Sequence, residues 1–118
     1  MFNFFGKKYS LSQASDFVPH MDNLYSMTPY RFTDGWAEGL EAVDVVNGGG
    51  LRFTVLPGRG MDIGRLEYKG VPVSYLSATG PVAPTFFESE SDQIMRGFLG
   101  GMLTTCGLTQ VGHPCEFN

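Results

Sequence analysis

The chain has 118 residues, 42% of them apolar, and a formal net charge of −4. That is enough for one folded domain and too apolar for an intrinsically disordered chain. Scattered Lys and Arg residues form no basic stripe, which excludes nucleic acid as the main partner, and no apolar run reaches the roughly 18 residues of a membrane span. Residues 1–8 place their apolar side chains ahead of the lysines, unlike a secretory signal. The expected compartment is therefore the cytoplasm, with Cys106 and Cys115 as reduced thiols.

Ser10-Leu11-Ser12-Gln13 has the form of a capping box, and a short helix over 11–17 follows, ended by Pro19. Residues 20–27 are polar and irregular. Tyr30 to Thr33 reads as a short strand, Asp34-Gly35 as a hairpin turn and Trp36 to Val46 as a strand rich in β-formers. Asn47-Gly48-Gly49-Gly50 turns the chain into LRFTVLPGRGMDIGRL, residues 51–66. There Leu51, Phe53 and Val55 alternate with Arg52 and Thr54, the period of a half-buried strand. Pro57-Gly58-Arg59-Gly60 breaks it, and the chain resumes with Met61 and Ile63 on one face and Asp62 on the other. Arg59 and Asp62 thus meet at a sharp bend, either as a structural ion pair pinning the turn or as charges offered to a ligand.

Residues 65–68 continue to a turn at Lys69-Gly70. The strand at 71–76 contains Pro72, which cannot donate to a ladder and so requires an edge. Residues 77–84 read as loop, Phe86 to Glu88 as a brief extended piece, and Ser91 to Arg96 as one or two helical turns capped by Ser91. Gly100-Gly101 is expected to break that helix, and Met102 to Cys106 to form a last strand. Strands linked directly by turns predict a mainly β fold with an antiparallel meander.

Two blocks carry a resemblance to a known family. Residues 50–64, GLRFTVLPGRGMDIG, and 96–109, RGFLGGMLTTCGLT, resemble a branch of the aldose 1-epimerase (galactose mutarotase-like) superfamily in order and spacing, as does the opening FGKKYS at 5–10. The resemblance implies a large antiparallel β-sandwich with a sugar-binding cleft. It also implies that residues 1–118 are an incomplete N-terminal portion of that single domain, because members of the branch are longer. The implied activity is mutarotation, or a related isomerisation, of a sugar or sugar derivative. Rival readings are a non-catalytic carbohydrate-binding or sensing protein on the same fold, and a truncated product with no activity of its own.

Mutarotation needs a base for the anomeric hydroxyl proton and an acid for the ring oxygen. The family's histidine motif lies beyond Asn118, so no catalytic residue is identified within the chain. His20 and His113 do not match that motif and read as loop histidines, with an approach to the cleft as the alternative for His113. Two cysteines and two histidines without paired ligand spacing give no metal site, and no cofactor is expected.

The candidate substrate-binding residues are Arg96, Arg59, Asp62, Thr105 and Phe87. Arg96 leads them: it precedes the glycine pair, and its guanidinium fork suits adjacent hydroxyls or a sugar-acid carboxylate. The alternative for it is an ion pair with Asp62 or Asp92. Thr104 and Thr105 alternate faces on a strand, so at most one reaches a cleft. Cys106 reads as a small buried residue. Trp36, Tyr75, Phe86 and Phe87 read first as sandwich core and second as a platform for a pyranose face, with Phe86-Phe87 the pair to test for sugar contact. The partner expected is a small-molecule sugar, with the oligomeric state left open.

Overall fold

The computed structural model describes residues 2–4, 6–86 and 95–104. Strands β1 (Phe2–Phe4) and β2 (Lys7–Tyr9) form an antiparallel pair. Helix α1 (Leu11–Ser15) follows, two residues shorter than expected. Its capping box is formed as read: Ser10 Oγ accepts from the Gln13 N–H at 3.2 Å, and Gln13 Oε1 accepts from the Ser10 N–H at 3.0 Å. Ala14, Phe2 and Leu24 bury one another in a small cluster with Tyr9, Val18 and Met21 against it. Gly48 closes over this cluster, where a Cβ would run into the Leu24 carbonyl and the Phe2 ring.

The remaining strands are β3 (Ser26–Arg31), β4 (Glu41–Val46), β5 (Leu51–Leu56), β6 (Asp62–Tyr68), β7 (Val71–Pro72), β8 (Tyr75–Leu76) and β9 (Gly100–Gly101). Strands β3 to β7 make one five-stranded antiparallel sheet in sequence order, the expected meander. The fold is thus mainly β, with one short α-helix among the described residues, and no helix there is long and apolar enough to cross a membrane.

Several boundaries differ from the expectation, each for a local reason. β3 begins inside the stretch read as irregular; it is an edge strand, so Pro29 removes no needed ladder bond. β7 is the opposite edge and carries Pro72, as its proline required. Asp34-Gly35 does not make a two-residue hairpin, because Asp34 Oδ1 accepts from the Gly35 N–H and caps a 3₁₀ turn over Gly35–Ala37. The strand expected from Trp36 therefore starts only at Glu41. The strand expected over 71–76 is cut in two. Val73 and Ser74 both donate to the Leu66 carbonyl, and Ser74 Oγ accepts from the Leu66 N–H, which turns the chain off the sheet edge.

Gly100 and Gly101, expected to break a helix, form β9 against β8. Both have φ near +80°, and a Cβ on Gly101 would lie 2.5 Å from the Ile63 carbonyl oxygen. Gly101 thus admits a close backbone approach to β6, and Gly100 one to Tyr75 of β8. Within the expected strand at 102–106, Leu103 makes a single antiparallel bridge to Ile63, while Thr105 and Cys106 lie outside the described residues. Pro84–Phe86 is a 3₁₀ turn rather than extended chain, and Phe87, Glu88 and residues 91–94 also lie outside the described residues.

The five-stranded sheet has two unlike faces. The outer face carries Val43, Val45, Phe53, Val55 and Leu66, all half-buried, and ends in Met27, 73% exposed, and Val71, 64% exposed. The inner face is closed at one end by segments around Val82-Ala83 and Leu99. Leu40, Ala42, Leu56, Ala83 and Leu99 form the main core there, with Phe32 against them. The other end of the inner face is open.

Candidate functional site

The open end is a concavity of about 590 Å³, within the size range of small-molecule sites. It is lined by Thr28 and Tyr30 of β3, Asp44 of β4, Arg52 and Thr54 of β5 and Arg65 of β6, with Phe32, Leu76, Pro81 and Leu99 as its apolar wall. Register explains the grouping. Thr28 pairs with Asp44, Asp44 with Thr54, and Arg52 with Glu67, so side chains that alternate along each strand stack on one face across four strands.

Arg52 organises the polar floor. Its Nε and Nη2 both donate to Asp44 Oδ2, at 3.0 and 2.8 Å, and its Nη1 lies 3.8 Å from Glu67 Oε1. The hydrogen bonding to Asp44, and then its negative charge, hold the Arg52 guanidinium above its ordinary pKa. Beside this network Thr54 is only 9% exposed, and its hydroxyl has no hydrogen-bond partner among the described residues. A buried hydroxyl without a partner is uncommon in a folded chain, and one that lines a cavity is satisfied by whatever fills it. Tyr30 and Phe32 meet at 5.4 Å between ring centroids and bring aromatic surface to the rim.

Of the residues expected to bind substrate, Arg59, Asp62 and Arg96 do not line this concavity. Arg59 and Asp62 meet as an ion pair at 3.5 Å at the closed end, where Asp62 is buried. Arg59 Nη1 also donates to the Val82 carbonyl at 2.9 Å, which fastens the segment over the core to the bend after β5. Arg96 is exposed and does not line the concavity. Thr105 and Phe87 lie outside the described residues, as do His113, Cys106, Cys115 and Asp92. Thr104 is exposed, its hydroxyl donating to the Gly100 carbonyl at 3.2 Å. His20 is exposed, and its Nδ1 accepts from the Asp22 N–H, capping a 3₁₀ turn as a loop histidine can.

Of the aromatics read first as core, Trp36, Tyr75 and Phe86 are exposed, and Phe87 lies outside the described residues. Trp36 is 66% and Tyr75 70% exposed. Trp36 and Phe86 stack edge to face at 5.3 Å on the surface, away from the concavity. Among the lining residues missed in the sequence are Asp44, Arg52, Thr54 and Arg65. A signal for three of them was present: polar residues at alternate positions of apolar strands mark a solvated face, and Arg52 and Thr54 fall on it in β5 as Asp44 does in β4.

Residues 37–118 match the model of a family described as "Domain of unknown function (DUF4432)". The match takes in β4 to β9, and with them Asp44, Arg52, Thr54 and Arg65, while Thr28 and Tyr30 precede it. No curated protein and no solved structure matches the chain.

Proposed function

We propose that this chain, which belongs to the DUF4432 family, binds a small hydroxyl-rich ligand, a sugar or sugar derivative, in the concavity on the inner face. The observation that carries the reading is Thr54 on the floor, buried and with no hydroxyl partner among the described residues, beside the Arg52–Asp44 pair. A sugar hydroxyl both donates and accepts, so it can satisfy Thr54 and the remaining lone pairs of Asp44 together. The apolar wall of Phe32, Leu76, Pro81 and Leu99 suits the C–H surface of a pyranose ring.

The resemblance to aldose 1-epimerase-like proteins supports reading the sheet as one layer of a β-sandwich and the ligand as a substrate for mutarotation or a related isomerisation. On that reading the described residues are a binding wall. The rival is a non-catalytic carbohydrate-binding protein on the same fold. Among the described lining residues there is no histidine, and the single carboxylate, Asp44, is already engaged by Arg52. The test is titration of the chain with monosaccharides followed by ligand-observed NMR, with anomer exchange recorded in the same samples. Binding lost in Arg52→Gln supports the site. Binding with accelerated exchange selects the enzyme, and binding without it selects the rival. No binding by any sugar sinks both.

A further inference from the structure

The concavity holds two guanidinium groups with different commitments. Arg52 is taken up by Asp44 and Glu67. Arg65 has no carboxylate within ion-pair distance and no side-chain hydrogen bond among the described residues. An irregularity in the sheet puts it where it is. Phe53 pairs with Leu66 and Val55 with Ile63, so Thr54 alone faces both Gly64 and Arg65. A β-bulge of this kind sets two successive residues on one face and re-aims the second. Gly64 fits beneath the core because it has no side chain; a Cβ there would lie 3.3 Å from Leu99 Cδ2. Arg65 is the first side chain beyond it, at the boundary between closed core and open concavity, opposite the buried Thr54 hydroxyl.

Among the described residues the charges lining the concavity are Asp44, Arg52 and Arg65. Arg52 is shared between Asp44 and Glu67, the acid beside the concavity, so Arg65 is the cation that brings this group of four to neutrality in a chain whose formal charge is −4. We propose that Arg65 receives an anionic group, a carboxylate or a phosphate, carried by the ligand, so that the site selects an acidic sugar derivative over its neutral counterpart. The proposal rests on the hydroxyl-rich reading of the concavity. A guanidinium presents a planar fork of donors that matches either anion, and Arg65 makes no side-chain hydrogen bond or ion pair among the described residues.

The experiment is calorimetric titration of the chain with four probes: glucose, glucuronate, glucose 6-phosphate and inorganic phosphate. Wild type, Arg65→Gln and Arg65→Lys are compared, with thermal unfolding as the folding control. The expected result is that one acidic sugar binds wild type roughly ten- to a hundredfold more tightly than glucose, as a charge-assisted contact gives. Arg65→Gln removes that preference, weakening the acidic sugar far more than glucose, and Arg65→Lys keeps only part of it. Glucuronate against glucose 6-phosphate tells which anion is read. Equal binding of neutral and acidic sugars, or a preference that survives Arg65→Gln, overturns the proposal while the sugar reading stands. Arg65-dependent binding of inorganic phosphate with no sugar bound keeps the anion contact and overturns the sugar reading. Binding of no probe overturns both.

Discussion

At one end of the inner face β4 and β5 present Ala42 beside Leu56; two residues further along each strand the same face presents Asp44 beside Thr54. Both ends belong to the same pair of strands. The side chains on alternate positions differ, and with them the fate of the surface. Where they are apolar, the segments at Val82-Ala83 and Leu99 close over them into a core. Where they are charged or hydroxylic, closure would desolvate them at a cost of several kcal/mol, about 1–3 for each polar group left unpaired, and the face stays open. The comparison separates residues that hold the sheet together from residues available to a ligand, and substitutions at the two ends should therefore fail in different assays.

The largest effect is expected at the closed end. Leu56 is 2% exposed, and Leu56→Ala leaves a cavity among Leu40, Ala42, Ala83 and Leu99. Chemical denaturation should show a loss of about 2–5 kcal/mol. A loss below about 1 kcal/mol would mean that this cluster is not what closes the face. Next comes Arg59→Met, which removes both the ion pair to Asp62 and the bond to the Val82 carbonyl. A cost of about 1–3 kcal/mol is expected, with ligand affinity reduced no more than stability explains. Unchanged stability with lost binding would instead return Arg59 and Asp62 to the ligand site.

At the open end the order reverses. Arg52 is half exposed and its pairs face solvent, so Arg52→Gln should change stability by under about 1 kcal/mol. Ligand affinity should nevertheless fall, because Asp44 loses the group that orients it. Affinity that persists in Arg52→Gln would place the ligand elsewhere on the chain.

Much of the frame was legible. The alternation of Leu51, Phe53 and Val55 sets β5 to the residue, and Pro57 and Gly60 end it as their backbone preferences require. The Ser10–Gln13 box and the edge position of Pro72 were equally local signals. The site was less legible because it is assembled across strands. Arg59 and Asp62 stand out in one dimension, as opposite charges at a glycine-rich bend, yet in three dimensions they serve the closed end. Thr28, Asp44, Arg52 and Arg65 are unremarkable along the chain and become a group only through register. Arg65 also depends on a bulge that no motif announces.

The smallest stability change and the sharpest test belong to Thr54→Val. The side chain keeps its shape, its strand preference and its burial, and loses only the hydroxyl. Because that hydroxyl has no partner among the described residues, the usual penalty for deleting a hydrogen bond is absent. In the ligand-free chain, solvent in the open concavity takes the hydroxyl's hydrogen bonds, so its removal should change stability by under about 1 kcal/mol. The floor of the concavity becomes apolar at the same time, and a hydroxyl of the ligand placed against it is left unsatisfied. Affinity should drop roughly tenfold, for neutral and acidic ligands alike, which distinguishes this variant from Arg65→Gln. Equilibrium denaturation and calorimetric titration of one preparation give both quantities. A Thr54→Val chain that is less stable by more than about 1 kcal/mol and binds as wild type does would show that the hydroxyl serves the fold. The open end would then be no more a ligand site than the closed one.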